Sequence, residues 1–167
     1  REQVFEELNL WHTQADWTDS LVTFRTNYYD YGEDGRLVNS PYVDNSYKWA
    51  GGGFVSTAED LVRFADAHSR VGFFEQATLD LLFTSQKLSS GLETGYGIGW
   101  STRVDDRGRK IVSHGGGSVG GSTTLILYPE ERVSVALISN ISGGQEDRNA
   151  LSQQLAQPFL EALALHP

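Results

Sequence analysis

The residues best suited to chemistry form one short segment, His114-Gly115-Gly116-Gly117-Ser118. An imidazole can take up or release a proton near neutral pH, and a serine hydroxyl can act as a nucleophile. Consecutive glycines leave the backbone N–H groups open to a ligand, because no side chain stands in the way. The segment could therefore bind a phosphate, supply a nucleophile or hold a substrate carbonyl.

The phosphate interpretation rests on Gly115-x-Gly117-x-x-Gly120, which has the spacing of a dinucleotide-binding fingerprint. That fingerprint needs a helix directly after it and an acidic residue about 20 positions further on. Residues 122–127 instead have the composition of a strand, and residues 135–142 contain no carboxylate. No nucleotide or other cofactor is predicted.

The nucleophile interpretation rests on Gly116-x-Ser118-x-Gly120, which has the form of a nucleophile elbow, with Asp147 and His166 following in the order of an α/β-hydrolase triad. An elbow presents its serine at a turn from a strand into a helix. Ser118 is predicted to lie between two strands, and His166 is the penultimate residue. Ser118 is therefore not predicted to be the attacking group.

The elements around the segment indicate an antiparallel sheet. Apolar residues alternate over residues 96–100, 110–114, 122–128 and 132–140, with turn residues between these stretches. Four sequential strands are predicted. A long excursion with a short hairpin is expected over residues 11–53, since glycines, aromatics and polar residues follow one another there without sustained periodicity.

Helices are predicted before and after these strands in the sequence. Ser56 and Glu59 have the spacing of a capping box at the start of one helix, and a second is expected from about residue 75 to 86. His68 lies on an apolar helix face and is expected to be structural. A C-terminal helix over residues 145–165 is expected to pack on the sheet through four residues at a spacing of four: Leu151, Leu155, Phe159 and Leu163. The predicted fold class is α+β, an antiparallel sheet flanked by helices.

Several stretches in the same order resemble the serine β-lactamase and penicillin-binding protein superfamily, specifically its class C-like peptidases and esterases. Ser113-His114-Gly115-Gly116 resembles the family's Lys-Thr-Gly or His-Thr-Gly triplet, with Gly115 where threonine is usual. The other stretches that carry the resemblance are residues 50–61, 96–100, 122–129 and 135–140. Residues 45–49 and the histidine form of the triplet are similar to the mitochondrial and bacterial β-lactamase-like branch.

The resemblance implies a partial β-lactamase/transpeptidase-like fold and roles for five residues. His114 would assist catalysis from one wall of the site, and the Gly117 N–H would be one of two oxyanion donors. Gly115, Gly116 and Ser118 would line the substrate. The family's Ser-x-x-Lys and Tyr-x-Asn motifs occur nowhere in residues 1–167. We therefore expect the chain to be the C-terminal part of a single domain and to be inactive alone.

Composition excludes other classes of function. Thirteen Lys and Arg against 22 Asp and Glu give a formal net charge of −9, which argues against nucleic-acid partners. The sequence has no cysteine, no stretch apolar enough to span a membrane and no cluster at metal-ligand spacing, so no thiol chemistry, membrane span or metal is predicted.

The function expected of the complete protein is serine hydrolysis of amide or ester bonds through an acyl-enzyme, on a small-molecule or peptide substrate. Because the triplet is His-Gly-Gly, peptidase or esterase activity is favoured over efficient β-lactam hydrolysis. The alternative is a non-catalytic binding or assembly module that uses the same sheet. Association with a missing N-terminal part is expected, and the resemblance suggests an extracytoplasmic or mitochondrial location.

Overall fold

The computed structural model describes residues 1–143 and 145–165. His166 and the side chain of Asp147, which the elbow interpretation would require, lie outside the described residues. The predicted fold class is confirmed: helices cover an antiparallel sheet.

The central sheet has four strands in sequential order. They are β5 (Ser101–Val104), β6 (Lys110–Ser118), β7 (Gly121–Tyr128) and β8 (Val133–Ser139), and each pairs antiparallel with the next. The predicted strand at residues 96–100 is wrong, because the first strand begins only at Ser101. Gly95 and Gly99 have positive φ angles of 70° and 76°, which interrupt an extended conformation.

Two helices cover one face of this sheet. The first, α1 (Ala58–His68), is capped by Thr57, whose hydroxyl accepts a hydrogen bond from the Asp60 backbone N–H at 3.2 Å. The predicted cap, Ser56, is wrong by one residue, because its hydroxyl lies 2.8 Å from that of Thr13 instead. The second helix is α2 (Gln76–Phe83). Buried side chains join both helices to the sheet: Ala65, Phe83, Trp100, Val112, Leu125 and Leu127.

His68 is structural, as predicted. It is 4% exposed, and its Nδ1 lies 2.8 Å from the Phe64 carbonyl oxygen. Its ring packs against Phe74 and Trp100. Burial lowers the pKa of His68 below its ordinary value, so the folded state favours the neutral ring.

The C-terminal helix, α3 (Gln145–Leu165), has the predicted bounds and continues through Pro158. The prediction of its packing face is wrong. The residues buried against the sheet are Ser152, Ala156 and Leu160, which lets the helix lie close to Ile111, Ile126 and Tyr128. The four residues predicted to face the sheet, here called the α3 apolar stripe, are instead 45–63% exposed: Leu151, Leu155, Phe159 and Leu163.

The excursion before α1 contains the predicted short hairpin, β2 (Tyr29–Tyr31) with β3 (Leu37–Asn39). A second pair joins β1 (Gln14–Ala15) to β4 (Phe54–Val55). The remaining regular elements are a π-helical turn at Glu2–Glu6 and a 3₁₀ segment at Ser46–Gly51. The excursion therefore folds back to the N-terminal end of α1.

Candidate active site

All five predicted site residues lie on β6, in its second half. We call residues 114–118 the glycine segment. The neighbouring strand β5 pairs with β6 only as far as Ser113, whose partner is Ser101. On the other side β7 pairs along the whole segment, from His114 opposite Leu125 to Ser118 opposite Gly121. One side of the glycine segment is therefore an open strand edge.

The alternation of an antiparallel pair decides which peptide groups point to that open edge. At the β5–β6 turn the Asp105 N–H donates to the Arg109 carbonyl at 2.9 Å, so Arg109, and with it every second residue along β6, points toward β5. Counting by twos gives residues 111, 113, 115 and 117. The N–H and C=O groups of Gly115 and Gly117 therefore point beyond the end of β5, away from β7. This orientation suits the binding of a substrate backbone or of an oxyanion.

His114 contacts a residue that the sequence did not indicate. The Tyr96 hydroxyl lies 3.0 Å from the His114 Nδ1, and the two rings meet edge to face with centroids 6.4 Å apart. Both side chains are exposed. Tyr96 precedes His114 by 18 residues and was expected to be an ordinary strand residue. Its position follows from the irregular chain before β5.

The opposite strand leaves little room beside the central glycine. Gly116 pairs with Thr123, and a Cβ at position 116 would lie 2.8 Å from the Thr123 hydroxyl oxygen. That separation is too short for an unstrained contact, so even alanine would force a shift. The three glycines therefore differ in what their positions demand: Gly116 faces the crowding by Thr123, whereas Gly115 and Gly117 direct their peptide groups to the open edge.

Ser118 is exposed and stands directly before a two-residue turn into β7. A nucleophile elbow needs a helix after its serine, so this geometry does not support Ser118 as the attacking group. The turn packs on the excursion: a Cβ on Gly120, whose φ is 70°, would lie 2.3 Å from the Tyr28 Cβ. The Gly120 N–H also donates to the Ser142 hydroxyl at 2.5 Å.

Hydrogen bonds join the β2–β3 hairpin to the same end of the sheet. The Tyr29 N–H donates to the Asn140 carbonyl at 2.9 Å, and the Ser142 N–H donates to the Tyr29 carbonyl at 3.2 Å. Hydrogen bonding from Ser142, and then from Ser40, holds the pKa of the half-buried Asp30 carboxyl below its ordinary value. The hairpin is thereby held in place beside the glycine segment.

A groove of about 1470 Å³ lies between the excursion and the sheet. Part of its lining comes from Gly116, Gly117 and Ser118. The opposite wall is apolar at its tip, where Leu21 and Phe24 are almost fully exposed. The groove and the open edge bring four of the five predicted residues next to space that a substrate could enter, while His114 lies to one side with Tyr96.

Within residues 1–143 and 145–165, three or more acidic, histidine or cysteine side chains nowhere gather as a metal-binding cluster. The helices of that same part of the chain are all too short or too polar to cross a bilayer.

Comparison with known proteins gives a consistent result. A family model described as beta-lactamase matches residues 1–158. The serine beta-lactamase-like protein LACTB, mitochondrial, of Bos taurus is 33% identical, in a match covering 84% of this chain and 30% of that protein. The chain therefore spans less than a third of that curated relative's length.

Solved structures share the fold at lower identity. A penicillin binding protein from Bacillus halodurans matches with a TM-score of 0.73 and 22% identity, over 92% of this chain and 48% of that chain. The D-amino acid amidase from Ochrobactrum anthropi SV3, solved with L-phenylalanine amide, matches with a TM-score of 0.69 and 20% identity, over 87% and 43%. Each neighbour extends well beyond the matched region.

Proposed function

The chain belongs to the beta-lactamase family, and from that premise we propose that the complete protein is a serine hydrolase that cleaves amide or ester bonds through an acyl-enzyme. The observation that carries the proposal is the open edge of the glycine segment, where Gly115 and Gly117 direct peptide groups away from β7. Such an edge can hold a substrate backbone and polarise its carbonyl.

The proposal gives each residue a role. The Gly117 N–H is one oxyanion donor, and a second comes from the nucleophilic serine's own backbone in the upstream part. His114 assists proton transfer or binds an anionic group of the substrate. Gly115, Gly116 and Ser118 line the substrate. In the reaction the serine oxygen attacks the carbonyl carbon while its proton passes to an upstream base, and the amine or alcohol leaves with that proton. Water then attacks the ester, which releases the carboxylic acid and restores the serine hydroxyl.

This chain is the C-terminal part of the domain in the proposal, and it is inactive alone because it contains neither Ser-x-x-Lys nor Tyr-x-Asn. Small amides and esters, peptides included, are the proposed substrates. Efficient β-lactam hydrolysis is not proposed, since Gly115 provides no hydroxyl where the family usually has threonine. An extracytoplasmic or mitochondrial compartment is proposed with it, in line with the name of the bovine relative.

The upstream part is also the proposed occupant of the α3 apolar stripe. Three of the stripe's residues directly precede the residues buried against the sheet, so the stripe lies on the adjacent face of α3, about 100° around the helix axis, and its side chains are about half exposed. Apolar surface of this kind is ordinarily covered. Because the matched solved structures are more than twice as long as the matched region, a covering segment of the same protein is the simplest occupant.

The proposal is tested on the full-length protein. The upstream sequence should contain Ser-x-x-Lys followed by Tyr-x-Asn, and the protein should hydrolyse small amides or esters. Replacing His114 with leucine should lower kcat/KM by about 10²- to 10⁴-fold, whereas His114→Lys, which keeps a cationic donor, should lower it less. Upstream motifs without hydrolysis, or no motifs at all, would instead support the non-catalytic binding module.

A further inference from the structure

We infer that Tyr96 is a positioning residue for His114, fixing the orientation and the tautomer of its imidazole; the inference rests on the proposed function. The contact that carries it is the 3.0 Å separation between the Tyr96 hydroxyl and the His114 Nδ1. Among the described residues, Tyr96 is the side chain that hydrogen-bonds to this histidine. Tyr96 lies in the irregular chain before β5, and His114 lies in β6.

The backbone of Tyr96 is firmly held although its side chain is 41% exposed. Its carbonyl accepts from the Gln86 N–H at 2.8 Å, and its own N–H donates to the Thr94 hydroxyl at 3.1 Å. It also forms an antiparallel bridge with Ser101, the first residue of β5. These contacts fix the point from which the phenol ring reaches His114.

The next residue holds the same segment against α2. The Gly97 N–H donates to the Trp100 carbonyl at 2.7 Å, and the Ile98 N–H donates to the Leu82 carbonyl at 3.0 Å. A Cβ on Gly97 would lie only 2.1 Å from the Leu82 carbonyl oxygen, so this approach requires glycine. The chain therefore passes as close to α2 as its backbone allows, and Tyr96 has little freedom to move away from the histidine.

The hydrogen bond between Tyr96 and His114 affects which ring nitrogen of the histidine carries the proton. A neutral imidazole has one nitrogen that donates and one that accepts, and a hydroxyl can pair with either kind. A phenol donates more readily than it accepts, so this partner favours the tautomer with an unprotonated Nδ1. When the phenol donates to Nδ1, the proton of the neutral ring is on Nε2. When the ring is protonated, the same hydroxyl turns and accepts from Nδ1–H. In both states Nε2–H is the donor left for the substrate.

This arrangement differs from a carboxylate partner in one respect. A phenol orients the ring without placing a negative charge beside it, so the protonated histidine keeps its full attraction for an anionic substrate group. Tyr96 would act on the reaction only through His114. Removing its hydroxyl should therefore change the ring orientation and the tautomer of His114, and should affect the reaction only through that change.

The test compares Tyr96→Phe with Tyr31→Phe in the full-length protein. Tyr31 is also exposed, lies in β2 and does not line the groove, so its substitution is a matched loss of one phenol hydroxyl. Nitrogen-15 NMR of the histidine rings at about pH 8, where imidazoles are neutral, reads the tautomer directly. The His114 signals are identified by their loss in His114→Gln.

Wild type and Tyr31→Phe should show the Nε2–H form, and Tyr96→Phe should show a mixture of the two tautomers. Hydrolysis by Tyr96→Phe should fall roughly 3- to 10-fold in kcat, the worth of one neutral hydrogen bond, with an unchanged urea midpoint. An unchanged His114 tautomer in Tyr96→Phe would overturn the inference. Absence of hydrolysis in wild type would instead refute the proposed function, and the NMR result would still decide the pairing.

Discussion

Replacing Gly116 with alanine tests why the site contains its central glycine. The added Cβ would lie 2.8 Å from the Thr123 hydroxyl oxygen, well inside the roughly 3.5 Å at which nonbonded heavy atoms attract most. Forcing such a contact in a packed sheet costs about 1–3 kcal/mol. Without the contact, a compatible glycine-to-alanine change stabilises a protein by about 0.4–1 kcal/mol through the unfolded chain.

The double variant Gly116→Ala/Thr123→Ala removes the obstructing hydroxyl. We therefore expect Gly116→Ala to destabilise the protein that carries Thr123. In the Thr123→Ala background the same change should be neutral or stabilising. The coupling free energy of the pair should be about 1–3 kcal/mol. Urea unfolding of the four proteins, followed by tryptophan fluorescence, measures it. Additive effects, with a coupling below about 0.5 kcal/mol, would refute the steric explanation and leave substrate access as the reason for Gly116.

Two further predictions concern other parts of the fold. Because burial lowers the pKa of His68, the unfolded state takes up its proton first as pH falls, so stability should decline below about pH 6.5; His68→Gln should flatten this dependence of the unfolding free energy and the exposed His12→Gln should not. Leu160→Ala removes a core side chain and should lower the unfolding free energy of this chain, measured in urea, by about 2–5 kcal/mol. Phe159, which is 63% exposed, should matter less here: Phe159→Ala should cost under about 0.5 kcal/mol in this chain but about 3 kcal/mol in the full-length protein. Equal small losses in both proteins would argue against a covered stripe.

The sheet could be predicted from the sequence because alternating apolar residues carry a signal with the period of a strand. Three of the four strands lie where that alternation is found, and α3 has the predicted bounds. The strand at residues 96–100 was wrong for a local reason: Gly95 and Gly99 turn the chain with positive φ, and apolar residues between glycines can follow the same alternation without being extended.

The packing of α3 was wrong for a different reason. Periodicity shows that a helix has an apolar face, but it does not show which neighbour that face meets. Small residues, Ser152 and Ala156, meet the sheet because they let the helix approach closely, and the larger apolar residues are on another face. A sequence that spans only part of its relatives gives no view of the partner for that face.

The candidate site was predictable only in part. The glycine segment has a recognisable composition, and its position on a strand follows from the alternation around it. The pairing of Tyr96 with His114 was not predictable, since it depends on how residues 86–100 fold against α2. The open edge depends equally on where β5 begins, at Ser101, because the sequence placed the start of that strand too early, at residue 96.

We propose that this chain is one wall of a serine hydrolase site whose nucleophile comes from upstream. Labelling with a fluorophosphonate probe, followed by mass spectrometry of the labelled peptide, tests it most directly. We predict one adduct in the full-length protein, on the serine of an upstream Ser-x-x-Lys, and none in residues 1–167 alone. No adduct in the full-length protein would contradict the account, and an adduct on Ser118 would show that the nucleophile lies in this chain after all.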